Sequence, residues 1–241
     1  MNQIRIVLVG TTHAGNIGAT ARAMKTMGLS SLHLVAPKTF PSAEATARAA
    51  GADDLLAAAV LHSELSSALA GCFTVFGTTA RERRIGWPSE TPRSMAEAIV
   101  NAPQGDDVAI VFGRERSGLT NEELDLCQRS VMIPTSPDFH SLNLAQAVQI
   151  CAYEIRLATM SGHQSSELSD EPGDPAASAD EVAALHAHWL EVMAKVGYLD
   201  PARPKLLARR LRRFLVRANL RHSESQIMRG FLSATEKKLD E

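Results

Sequence analysis

Cysteine is scarce in this 241-residue chain. Cys72, Cys127 and Cys151 stand so far apart that neither the paired-ligand spacing of a zinc site nor a dense disulfide framework is available. That scarcity fits a reducing compartment. No apolar run approaches the roughly 20 residues a membrane helix needs, and the chain opens at once on Ile4-Arg5-Ile6-Val7-Leu8-Val9, a strand-like run rather than a secretory signal. A cytoplasmic location is therefore expected. A His-Glu-x-x-His pattern is missing, and His186 and His188, two apart, would point to different faces of a helix, so no metal site is expected. Long internal repeats are lacking too. What remains, 45% hydrophobic and 22% charged, is globular in composition and long enough for one full domain with an appendage.

Acidic residues are absent from one informative stretch. Arg203, Lys205, Arg209, Arg210, Arg212, Arg213, Arg217 and Arg221 occur with no carboxylate among them. The net charge of -2 hides this segregation: residues 1–160 carry -2, residues 161–180 carry -5, and residues 181–241 carry +5, from twelve basic and seven acidic side chains. Such a basic tail makes polyanion binding a live reading.

Along residues 1–160, short β-branched runs at 4–9, 32–36, 73–78, 107–112 and 130–133 alternate with helix-period stretches near 16–28, 42–50, 64–70, 93–101, 120–127 and 142–159. That alternation predicts an α/β domain with a mostly parallel sheet. Residues 161–180 are polar, acidic and broken by Pro172, Gly173 and Pro175, which reads as a flexible linker. Beyond it, Val182, Leu185, Trp189, Val192 and Val196 recur at helical steps, a second helix is expected near 205–219, and a third follows Ser223 with Gln226 completing a capping box. Residues 181–241 thus form a small helical domain. In its middle helix Leu207, Leu211, Phe214, Leu215 and Ala218 gather on one side, and Arg209, Arg212, Arg213 and Arg217 on another. The stripe suits a solvated face or phosphate contact, and the missing acidic partners favour phosphate.

Three loops stand out. The first strand runs through Gly10-Thr11-Thr12-His13-Ala14-Gly15-Asn16-Ile17-Gly18 into a helix, yet it lacks the Lys of a P-loop and the second strand lacks a ribose-binding acidic residue. Alone, it reads as a plain βα turn. After the fourth strand comes Gly113-Arg114-Glu115-Arg116-Ser117-Gly118, followed by Thr120 and Glu123 as a capping box, at the strand end where open α/β sheets bind ligands. After the fifth comes Ile133-Pro134-Thr135-Ser136-Pro137-Asp138-Phe139-His140-Ser141-Leu142-Asn143, a rigid polar loop without the Gly-x-Ser-x-Gly of a hydrolase. Trp87, in a loop, suits either stacking on a base or plain packing.

Taken in order, Asn16-Ile17-Gly18-Ala19-Thr20-Ala21-Arg22, Phe112-Gly113-Arg114-Glu115-Arg116-Ser117-Gly118-Leu119, and Ile133-Pro134 with His140-Ser141-Leu142-Asn143-Leu144-Ala145 resemble the three motifs of the SPOUT class of RNA 2′-O-ribose methyltransferases. The resemblance spans residues 1–160, and the basic helical tail extends it to the branch that methylates cytidine or uridine 32 in the tRNA anticodon loop. It implies a C-terminal trefoil knot, S-adenosylmethionine as cofactor, tRNA as partner, and a homodimer whose active site is shared between subunits. By matching positions, Thr78, Thr79, Ala80, Gly113, Ile133, His140, Ser141 and Leu142 would hold the cofactor. Arg22 would orient phosphate and ribose and assist deprotonation of the hydroxyl, Asn16, Asn143 and Ser141 would fix hydroxyl and phosphate oxygens, and Glu115 would order the site by pairing with arginines. Arg209, Arg212, Arg213 and Arg217 would bind tRNA backbone. Related targets are another tRNA position or ribosomal RNA, or RNA binding without catalysis.

Overall fold

The computed structural model describes residues 3–80, 89–103, 105–139, 141–161, 174–201 and 206–239. Two compact units divide the chain, Met1–Ser166 and Glu167–Glu241. Trp87 and residues 162–173 of the expected linker lie outside the described residues.

In the first unit the elements follow one another as β1 (Ile4–Val9), α1 (Ala14–Thr26), β2 (Ser31–Val35), α2 (Ala43–Ala49), α3 (Asp53–Ala57), β3 (Val60–His62), α4 (Leu65–Leu69), β4 (Thr74–Thr78), β5 (Ser89–Glu90), α5 (Pro92–Val100), β6 (Val108–Phe112), α6 (Asn121–Leu124), β7 (Arg129–Val131) and α7 (Leu144–Met160). The sheet order is β3-β2-β1-β6-β4-β7-β5, and every pairing is parallel. Period-two alternation explains its layers. Ile6 and Leu8 of β1 join Phe76, Ile110 and Phe112 in one core, under α1, α5 and α7, whereas Val7 and Val9 join Val75, Val111, Leu119 and Leu124 in a second core on the other face. The central strand β6 is buried from end to end, as a strand covered on both faces must be.

Helix ends follow the sequence signals closely. Thr120 and Glu123 form the expected capping box at α6, and Thr91 with Ser94 forms another at α5. Gly18 is fixed by packing: a Cβ there would lie 1.9 Å from the Ala45 carbonyl oxygen, so only glycine lets α1 and α2 approach so closely.

The second unit holds α8 (Ala179–Lys195), α9 (Leu207–Ala218) and α10 (His222–Leu239), with α8 packed against both others. Val182, Leu185 and Val192 of α8, Leu211 and Leu215 of α9 and Leu232 of α10 are buried between them. Each such side chain is worth about 2 kcal/mol when fully buried. His186 binds the Ala208 carbonyl and His188 binds Glu236, so the two histidines do serve different faces. Two expectations change. The linker does not extend to residue 180, because Ala177 N–H donates to Leu220 O at 2.7 Å and Ser178 caps α8 in a box with Glu181. The third helix begins without a Ser223–Gln226 box; Glu224 accepts from Arg221 N–H at 2.8 Å and Asp174 accepts from Ser223 N–H at 3.0 Å. A carboxylate at a helix N-terminus is a stronger acceptor than an amide oxygen.

Candidate active site

Parallel strands deliver their loops to one edge of the sheet. At the carboxyl ends of the adjacent strands β6, β4 and β7 a cleft of about 260 Å³ opens. Thr78 at the end of β4, Thr79 and Ala80 after it, Gly113 after β6, Ile133 after β7, and Ser141 and Leu142 before α7 all line it. His140 lies outside the described residues. The walls are held by the sheet itself: Thr78 Oγ1 donates to Val111 O at 3.0 Å and Thr79 N–H to Val131 O at 2.9 Å. After β6 the chain closes into a tight loop through reciprocal backbone bonds between Arg114 and Gly118. Gly113 makes that closure feasible, since a Cβ would sit 2.1 Å from the Gly118 carbonyl carbon. Leu119, Val131, Thr135 and Leu144 also line the cleft. Sequence reading missed these four because their apolar or turn character marks core and loop, not a ligand wall.

In the cleft wall itself, one carboxylate gathers the first and second loops. Glu115 accepts from Thr12 N–H (3.1 Å), Thr12 Oγ1 (2.8 Å), His13 N–H (3.1 Å) and Asn16 Nδ2 (2.9 Å). Helix α1 has no acidic residue in its first turn and no side-chain cap of its own, so Glu115 supplies the anion its N-terminus lacks. Burial alone would raise the Glu115 pKa; the bonds from Asn16, backbone amides and Thr12 outweigh it and hold the carboxyl at about 2. The third loop joins through Asn143, whose amide donates to Asn16 Oδ1 at 2.9 Å while its own oxygen caps α7 at Ala145 N–H, 3.0 Å. Among the described residues the partners of Glu115 are Thr12, His13 and Asn16, with no arginine in the set. Arg114 instead makes a two-pronged pair with Glu123, 3.0 Å to each oxygen, which ties the loop to the start of α6.

Arg22 is exposed on α1, and the cleft lining does not include it. Its guanidinium has no partner among the described residues. In the second unit, Arg217 is exposed, while Arg209, Arg212 and Arg213 are half-buried and engaged in contacts of their own. Phe214 was expected on the packing side of α9; it is 47% exposed. Among the described residues no group of three or more His, Cys, Asp or Glu gathers as a metal site would. No helix there is long and apolar enough to cross a membrane.

Compared with known proteins, residues 3–153 match the SpoU rRNA Methylase family. The chain belongs to that family. Residues 180–241 separately match the C-terminal domain of the tRNA methyltransferase TrmJ, so both units are accounted for. The tRNA (cytidine/uridine/adenosine-2′-O-)-methyltransferase TrmJ of Pseudomonas aeruginosa is 46% identical over 244 residues, covering 98% of this chain and 95% of that protein. The tRNA (cytidine/uridine-2′-O-)-methyltransferase TrmJ of Photorhabdus laumondii is 46% identical over 238 residues, with 98% of each covered. Among solved structures, TrmJ from Z. mobilis superposes with a TM-score of 0.83 at 35% identity, covering 96% of this chain and 98% of that one. In this SpoU-family frame, the loops joined by Glu115, Asn16 and Asn143 fall within the methylase match, and α9 falls within the TrmJ C-terminal match.

Proposed function

We propose that the chain transfers a methyl group from S-adenosylmethionine to the ribose 2′-hydroxyl of cytidine or uridine 32 in the anticodon loop of tRNA, acting as a cytoplasmic homodimer. The observation that carries this reading is the Glu115–Asn16–Asn143 bridge, which assembles three loops beside the cleft. Full-length relatives named as tRNA 2′-O-methyltransferases support it.

The lining fits this cofactor. Leu119, Ile133, Leu142 and Leu144 offer apolar walls for an adenine, while Thr78, Thr79, Thr135 and Ser141 offer hydroxyls for its polar parts. S-adenosylmethionine supplies an electrophilic methyl carbon on a sulfonium. The protein's own work is to hold the attacking oxygen in line and help its proton leave. Asn16 and Asn143 both donate and accept, which suits fixing a hydroxyl and a phosphate oxygen together. Ser141 adds a small hydroxyl at the cleft. The Arg22 guanidinium offers a planar fork of donors and no acceptor, so its role is to bind phosphate and ribose and stabilise the developing alkoxide.

Because Arg22 stands outside the cleft lining of its own subunit, a second copy of the chain is inferred to present its Arg22 there. The trefoil knot belongs to the same reading. Insertion of β6 between the earlier strands β1 and β4, with β7 on the far side of β4, is compatible with it. The helical unit would widen the RNA footprint, with Arg209, Arg212, Arg213 and Arg217 contributing positive field toward the backbone.

Mapping tests the target. Unmodified tRNA incubated with the chain and S-adenosylmethionine is subjected to limited alkaline hydrolysis, which a 2′-O-methyl group blocks. A single gap 3′ of nucleotide 32 is expected. A gap elsewhere would refute the position, and an uninterrupted ladder would refute ribose methylation.

A further inference from the structure

We infer that Arg210, Phe214 and Arg217 form a stacking platform for an unpaired base of the RNA, distinct from the stripe of Arg209, Arg212 and Arg213. The inference rests on the tRNA reading above. Residues four and three apart along a helix share one face, so these three side chains form a contiguous row on α9. All three are exposed. Neither the Arg210 nor the Arg217 guanidinium has a hydrogen bond or ion pair among the described residues, in contrast to Arg209, Arg212 and Arg213, which are engaged.

Phe214 is the unusual member. An amphipathic helix would turn a phenylalanine inward, yet 47% of this one faces solvent. Its ring is not loose: Trp189 of α8 meets it edge to face, with centroids 6.4 Å apart and planes at 83°. The orientation is therefore set before any ligand arrives, which lowers the entropy lost on binding. An open aromatic flanked by two unengaged guanidinium groups, on a stretch without a single carboxylate, matches the chemistry of a single-stranded nucleic acid. The ring accepts a base face, and the arginines accept the phosphates on either side. A protein partner would meet the same positive face without the compensating charge that RNA brings.

Binding of the full chain to unmodified tRNA, followed by fluorescence anisotropy over a range of salt, tests this. Phe214→Leu keeps the apolar contact with Trp189 but removes the π-face, so affinity should fall about tenfold with the salt slope unchanged. Phe214→Tyr should restore it. Arg210→Ala and Arg217→Ala, both at exposed positions, should each weaken binding and reduce the slope of log K against log salt by about one. Wild-type affinity in Phe214→Leu and in both arginine variants overturns the platform. So does a sedimentation experiment in which Phe214→Leu changes the oligomeric state and not RNA affinity, because the face is then a protein contact. A wild-type chain that shows these binding effects but transfers no methyl group overturns the function proposed above and leaves the platform standing.

Discussion

Asn143 donates its side-chain amide to Asn16 Oδ1 across 2.9 Å, joining positions 127 residues apart. Asn16 passes the connection on, its own amide donating to Glu115 at 2.9 Å. The N-termini of α1 and α7 and the loop after β6 are thereby held as one polar assembly beside the cleft. Each member is satisfied by another, so a change at one is felt at the others.

Replacing Asn143 separates its two duties. Asn143→Ser keeps a capping oxygen for α7 but loses the amide that reaches Asn16, so stability should fall by about 1 kcal/mol or less while methyl transfer falls more than tenfold. Asn143→Asp should be worse for activity, because a carboxylate would then face the Asn16 oxygen. Denaturant unfolding alongside initial rates checks both, and equal loss of stability and activity in the serine variant would contradict the bridge.

Glu115→Gln meets four donors with one oxygen and one amide. Leaving at least one donor unpaired costs about 1–3 kcal/mol. The melting temperature should drop, and S-adenosylmethionine affinity should fall because the loop after β6 forms a wall of the cleft. Since the native pKa is depressed to about 2, the stabilisation from Glu115 is complete above its ordinary value of 4.5 and is lost as pH falls from there toward 2. The difference in unfolding free energy between wild type and Glu115→Gln should therefore be flat above pH 5 and shrink below 4.

Two glycines should fail in different ways. Gly18→Ala drives a methyl into the Ala45 carbonyl and should destabilise the first unit by at least about 2 kcal/mol by separating α1 from α2. Gly113→Ala opens the loop after β6, so cofactor binding should be lost even where thermal unfolding shows the sheet intact. Calorimetric titration with S-adenosylmethionine checks the second, and wild-type affinity would contradict the role assigned to that loop.

Far from the site, His33 and His62 stack with ring centroids 5.1 Å apart and share a 2.9 Å contact between Nδ1 and Nε2. Burial first, then His62 and Arg5, push the His33 pKa from 6.5 down to about 4. The neutral form is favoured in the fold, so this contribution is fully present above pH 6.5 and is lost as pH falls toward 4. His33→Gln should flatten the pH dependence of stability across that window.

Much of this architecture is legible in the sequence, for physical reasons. The strands β1, β4 and β6 are buried and rich in β-branched or aromatic residues, and β2 and β7 carry buried Leu32, Leu34, Val35 and Val131, so their pattern shows. β3 and β5 do not show: β3 has three residues, two of them, Val60 and Leu61, exposed at the sheet edge, and β5 has only two residues. The cleft positions came from resemblance of the loops, since neither periodicity nor spacing marks Thr78 or Leu142. The donors that reach Glu115 do not show in the sequence, because they come from a turn about a hundred residues earlier. Phe214 was misplaced because a helical projection assumes enough neighbours to cover a face, and α9 packs chiefly on α8 alone.

The most direct measurement is a single-turnover assay with labelled S-adenosylmethionine and unmodified tRNA, run on wild type and Arg22→Ala with both ligands saturating. Label should enter the tRNA with the wild-type chain, and its rate should fall at least a hundredfold in Arg22→Ala while cofactor affinity is unchanged. Absence of label in wild type with both ligands bound would contradict the account at its centre.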